Sequence, residues 1–123
     1  MIDQFTLRMG LIGNPLGHSL SALMHNRTLA CMGLNGIYLP MEIAPPYLGQ
    51  AVLGLRALSF TGVNVTIPYK QDVIPYLDEL SSEAQACQAV NLIQHRDGRL
   101  IGHNTDGRGF MASLLEEGVG RLN

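Results

Sequence analysis

Two periodicities alternate along this chain. Residues 7–12 form a short, mostly apolar run closed by Gly13-Asn14-Pro15, the pattern of a buried strand followed by a loop. Over residues 20–32 the apolar Leu20, Leu23, Met24 and Cys31 fall at helical spacing, and Gly33 provides a stop. Residues 36–43 read as a second strand. Pro45-Pro46 then opens a helix to about residue 56, since proline is tolerated in a first turn. A third strand spans residues 62–67 and ends at Pro68, with short helical pieces over 71–77 and 82–87. Residues 90–95 and 99–103 flank Arg96-Asp97-Gly98, a hairpin signal. A last helix over 107–117 pairs Phe110 with Leu114 and Met111 with Leu115. Strands alternating with helices predict an α/β fold with a mostly parallel sheet and one antiparallel hairpin.

With 123 residues the chain makes one compact domain. Only 15% of residues are charged, below the roughly 25% of ordinary soluble domains. So charge-poor a surface predicts cover from another domain or subunit, and a homodimer is one form this takes. A net charge of −2 without a basic cluster excludes a nucleic-acid footprint and a polybasic membrane patch. No apolar run approaches the ~18 residues that span a bilayer, and the first ten residues do not read as a signal peptide. Cys31 and Cys87 form neither a C-x-x-C nor a metal spacing with histidine. They read as reduced, buried thiols of a cytoplasmic protein.

In open α/β sheets ligands collect at the carboxyl ends of strands, and four polar clusters fall there. Ser19 and Ser21 precede or begin the first helix, where hydroxyls, unpaired N–H groups and the helix dipole suit a carboxylate or phosphate. Simple helix capping is the alternative. In FTGVNVTIPYK, period-two alternation puts Asn64 and Thr66 on one face and Val63, Val65 and Ile67 on the other. A buried amide needs partners, so this polar face bonds nearby backbone or meets a polar cleft. Lys70 follows beyond the strand end, as a surface charge or a functional group. Asn91 interrupts another strand start. Asp106, in Gly102-His103-Asn104-Thr105-Asp106-Gly107, precedes a helix as an N-cap or a functional carboxylate. The four histidines show no metal spacing, so no metal is expected.

Taken together, GNPLGHSLSALMHN, FTGVNVTIPYK, AVN and GHNTDGRGF, in this order and spacing, resemble the substrate-binding domain of the shikimate dehydrogenase family over residues 10–110. The resemblance implies a three-layer αβα sandwich with a mixed, mostly parallel sheet of about six strands. It implies reversible reduction of 3-dehydroshikimate to shikimate with NADP. Ser19 and Ser21 would hold the substrate carboxylate. Asn64, Thr66, Asn91 and Asp106 would bind ring hydroxyls, and Lys70 with Asp106 would form the acid–base pair. A small-molecule substrate is thus the expected partner. The family's nucleotide-binding Rossmann domain has no counterpart in residues 1–123, so the whole chain reads as the substrate-binding catalytic domain, inactive alone. Departures occur at Ala22, where the family usually has proline, and at Gln88 and Leu92, where it usually has glycine and threonine. They point to a divergent member. The alternatives are an NAD-dependent quinate/shikimate dehydrogenase and a non-catalytic module that binds a small hydroxy-acid.

Overall fold

The computed structural model describes residues 2–17 and 20–105. These form strands β1 (Leu7–Gly13), β2 (Gly36–Glu42), β3 (Gly62–Val65), β4 (Glu79–Leu80), β5 (Leu92–Arg96) and β6 (Arg99–His103), with helices α1 (Leu20–Cys31), α2 (Leu48–Ala57) and α3 (Ser82–Cys87). They build one sheet in the order β2-β1-β3-β5-β6-β4. β2, β1 and β3 are mutually parallel, β5 runs antiparallel to β3 and β6, and β4 is parallel to β6. The expected mixed sheet of six strands is present. β4, two residues long, is the strand that periodicity did not reveal.

The pleat divides the core in two. On one face Ile12, Val63, Val65, Ile93 and Leu100 pack with Leu48, Val52 and Leu55 of α2 and Ala84 of α3. On the other, Met9, Tyr38 and Leu92 pack with Leu29 of α1. Helices on both faces give the expected three layers. The hairpin forms as its Asp-Gly pair requires: Asp97 and Gly98 take φ of 52° and 78°, the left-handed region that this turn needs. Gly33, at φ 66°, ends α1, and the Leu34 N–H bonds the Leu29 carbonyl across it at 3.0 Å.

Four expectations need correction. β3 stops at Val65, and Ile67 is 72% exposed rather than on the core face. The Tyr69 N–H donates to the Thr66 carbonyl at 3.0 Å, closing a turn around Ile67-Pro68, and proline has no N–H to continue a ladder. Residues 71–77 contain only a 3₁₀ turn at Ile74–Tyr76. The apolar stripe Leu20, Leu23, Met24 of α1 points outward, exposed by 50–69%; Leu29 is the helix's buried residue. Cys31 and Cys87 are exposed free thiols, because each ends a helix that buries one residue. The helix expected over 107–117 lies outside the described residues.

Candidate functional site

The topology brings four strand ends to one end of the sheet. β1 and β3 are parallel and finish there. β5, antiparallel to β3, begins there, and β6, antiparallel to β5, returns there, so Asn64, Leu92 and His103 stand in register across three strands. The residues just beyond these ends therefore converge. Backbone bonds fix them: Val65 N–H to Asn91 O at 2.9 Å, Val90 N–H to Lys70 O at 2.7 Å, and Asn91 N–H to His103 O at 3.0 Å. The loop after β1 is tied to the same place, with Asn14 N–H bonded to Ile67 O at 3.1 Å and the Thr66 N–H to Ile12 O at 2.9 Å. A Cβ on Gly13 would sit 2.5 Å from Thr66 Cγ2 and 3.0 Å from Ile67 O, so only glycine lets β1 and this turn approach so closely.

Of the residues expected to carry chemistry, Asn64, Thr66, Lys70 and Asn91 are brought together here. Ser21 lies in the first turn of α1, half-buried, its carbonyl 2.6 Å from His25 Nδ1. Ser19 and Asp106 lie outside the described residues. Lys70 is exposed, and its ammonium makes no ion pair among the described residues. Thr66 is half-buried, with its hydroxyl unbonded to any described group.

The amides are more constrained. Asn91 Nδ2 donates to the Thr105 carbonyl while its Oδ1 accepts from the Thr105 N–H at 2.9 Å. One side chain thus clamps the backbone of the residue that immediately precedes Asp106. Asn104 Nδ2 adds a bond to the Ala89 carbonyl at 3.1 Å. Asn64 is held on both sides: its Oδ1 accepts from the Tyr38 hydroxyl at 2.9 Å, and its Nδ2 donates to the Asn91 carbonyl at 3.3 Å. Of the two expected fates of the Asn64 amide, the bond to nearby backbone is present, and one N–H of each NH₂ group is left over from the bonds described.

Sequence reasoning missed the support beneath Asn64. Tyr38 is 1% exposed, and burial pushes its phenol well above the usual tyrosine range, so it stays a neutral donor. Asn26 grips its backbone from α1, Oδ1 accepting from the Tyr38 N–H at 2.8 Å and Nδ2 donating to its carbonyl at 2.9 Å. The His25 ring stacks on the phenol, with centroids 4.3 Å apart and planes 11° off parallel. The available signal was the helical spacing of Ala22, His25, Asn26 and Leu29. Two polar members disguised that inward stripe, while the outward Leu20, Leu23 and Met24 imitated one.

No group of three or more His, Cys, Asp or Glu among the described residues could hold a metal. The G-x-G-x-x-G spacing of a dinucleotide site does not occur in residues 1–123.

Comparison with known proteins bears on the fold and the family. Residues 11–93 match the model of the shikimate dehydrogenase substrate binding domain. The shikimate dehydrogenase (NADP(+)) of Syntrophomonas wolfei is 58% identical over 118 residues, covering 96% of this chain and 41% of that protein. That of Carboxydothermus hydrogenoformans is 54% identical over 118 residues, with 96% and 42% covered. A crystal structure of shikimate 5-dehydrogenase from Listeria monocytogenes, in complex with shikimate and NAD, superposes with a TM-score of 0.82 at 44% identity, over 95% of this chain and 40% of that one. The chain thus spans about two-fifths of the length of these relatives. Match, identity and fold agree, and the chain belongs to the family of shikimate dehydrogenase substrate-binding domains.

Proposed function

We propose that this chain is the substrate-binding, acid–base part of an NADP-dependent shikimate dehydrogenase. The observation that carries the proposal is the convergence of Asn64, Thr66, Lys70 and Asn91 at one sheet end, with polar groups left over for a ligand. Oxidation of a secondary alcohol removes a hydroxyl proton and a hydride. Bound NADP supplies the hydride acceptor, and residues beyond this chain would hold it. Lys70 takes the hydroxyl proton and returns it in the reverse direction, sharing it with Asp106. Asn91, by clamping Thr105, fixes the backbone of the residue that precedes Asp106 in the sequence. Asn64 donates to a ring hydroxyl, Thr66 bonds a second, and the hydroxyls of Ser19 and Ser21 meet the carboxylate beside the start of α1. Exposed, unpaired Cys31 and Cys87 suit a reducing compartment and support a cytoplasmic location. The outward apolar stripe of α1 supports burial against a second domain or, in a homodimer, a second copy.

A second reading, an NAD-dependent quinate/shikimate dehydrogenase, has one observation in its favour: the Listeria relative was solved with NAD. The test is a chimaera in which this chain replaces the matching 118 residues of the Syntrophomonas wolfei enzyme. Shikimate-dependent reduction of NADP, with quinate a poor substrate, is expected. Equal rates on quinate favour the second reading. Shikimate binding without turnover, in a chimaera that still binds NADP, would make this chain a non-catalytic binder and overturn the proposal. The 123 residues alone should bind NADP no better than background, because their sequence has no G-x-G-x-x-G spacing to cradle a pyrophosphate.

A further inference from the structure

We infer that Tyr38 is a positioning residue for ligand recognition: through Asn64 it fixes which end of that amide faces the site. The inference rests on the substrate-binding reading above and adds to it the residue that holds the amide in its donating orientation. An asparagine can present either its carbonyl oxygen or its NH₂ to a ligand, and the two differ by a simple flip. Here the flip is barred at Asn91 and opposed at Tyr38. The backbone carbonyl of Asn91, an acceptor only, lies 3.3 Å from Asn64 Nδ2, so that position must be the NH₂. The Tyr38 hydroxyl, 2.9 Å from Oδ1, must then donate its single hydrogen. A flipped amide would set two acceptors against each other at Asn91 and withdraw Oδ1 from the Tyr38 hydroxyl. The second hydrogen of Nδ2 is the group left to a ligand, so Asn64 selects an oxygen that accepts, such as a hydroxyl lone pair.

Tyr38 can impose this because it is itself immobile. Its ring is fully buried and stacked on His25, and its backbone N–H and carbonyl are both held by the Asn26 side chain. His25 in turn reaches the carbonyl of Ser21, so the tyrosine joins the first turn of α1 to the end of β3. A buried tyrosine that served only to fill the core would gain its packing as phenylalanine. The aligned hydroxyl is what phenylalanine lacks.

The test uses this chain, with shikimate as the probe and NMR titration as the readout, in a double-mutant cycle. Tyr38→Phe should weaken shikimate binding about five- to tenfold, the loss of one aligned hydrogen bond. In an Asn64→Ala background the same change should cost less than about twofold, because no amide remains to be oriented. Independently, the Tyr38 phenolic proton of the wild-type chain should give a slowly exchanging resonance that moves when shikimate binds. Unchanged affinity in Tyr38→Phe, or an equal penalty in both backgrounds, would overturn the inference while leaving the substrate-binding reading intact. Should Tyr38→Phe not fold, the phenolic resonance decides: a proton that exchanges freely with water, or that ignores shikimate, overturns it. A wild-type chain with no response to shikimate at any concentration would overturn both.

Discussion

The two faces of the single sheet are built on different chemistry. The face under α2 and α3 is closed by thirteen buried residues, nearly all aliphatic, from Ile12 to Leu100. Among the described residues the face under α1 buries Met9, Leu29, Tyr38 and Leu92, with Leu7, Leu11, Ala22 and Leu34 half-buried against them, and it adds Asn26 and Asn64 hydrogen-bonded to Tyr38 and His25 stacked on it. Non-directional burial stabilises the first face in any arrangement that fills its volume. The second fixes angles: a hydrogen-bonded amide has one orientation, and a clamp such as Asn91 on Thr105 has one register. One face is held by burial that fills volume, and the other holds its polar groups in fixed orientations.

Lys70→Ala, tested in the chimaera, separates chemistry from folding most sharply. Loss of a general acid–base group costs about 10²–10⁴-fold in kcat. Because Lys70 is exposed, the midpoint of thermal unfolding should hardly move. Turnover within a few-fold of the parent would make Lys70 an ordinary surface charge. The opposite pattern belongs to the aliphatic face. Leu55→Ala, in α2, removes a side chain that is 5% exposed and should destabilise the domain by about 2–5 kcal/mol. The folded fraction should still bind shikimate with its original Kd. A weaker Kd in that fraction would show that the two faces are not separable.

Ser21→Ala tests the rim of the polar face. A hydroxyl bonded to a carboxylate contributes roughly 1.5–3 kcal/mol, so KM for shikimate should rise by an order of magnitude or more in the chimaera. An analogue without the carboxylate should lose much less. Equal losses would assign Ser21 to helix capping.

The smallest effect lies far from the site. Asp78 accepts from the Leu100 N–H at 2.7 Å and from Arg56 at 2.6 Å. The Leu100 bond first, then the charges of Arg56 and Arg99, hold its carboxyl below the usual range. A lowered folded value means that its contribution is present above the unfolded value near pH 4 and fades as pH falls through the folded one. Asp78→Asn should therefore flatten the acid limb of the stability profile slightly, with shikimate affinity unchanged at neutral pH. A steeper acid limb in the variant would contradict that assignment.

The aliphatic face was the more legible in the sequence. Its strands announce themselves by valine and isoleucine runs, and the hairpin by Asp97-Gly98, because these signals are local. The two-residue β4 gives periodicity too little to work with. The site was half legible. Asn64, Thr66, Lys70 and Asn91 stand out as polar residues where an apolar one would pack or just past a strand end, and the family resemblance supplies their expected roles. The supporting layer was not legible, since Tyr38, His25 and Asn26 acquire meaning only through contacts across 12 to 26 residues of chain. Cys31 and Cys87 failed for a related reason: an apolar residue type says nothing about which side of a short helix it occupies.

The central claim is that the polar face and the strand ends above it bind shikimate while the aliphatic face stays silent. The most direct measurement is a two-dimensional NMR titration of the chain with shikimate, following backbone and side-chain amides together. Saturable shifts should appear at Ser21, at the side-chain amides of Asn64 and Asn91, and at Thr66 and Lys70, with Val52 and Leu55 unmoved. Shifts centred on α2, or none on either face, would contradict the account.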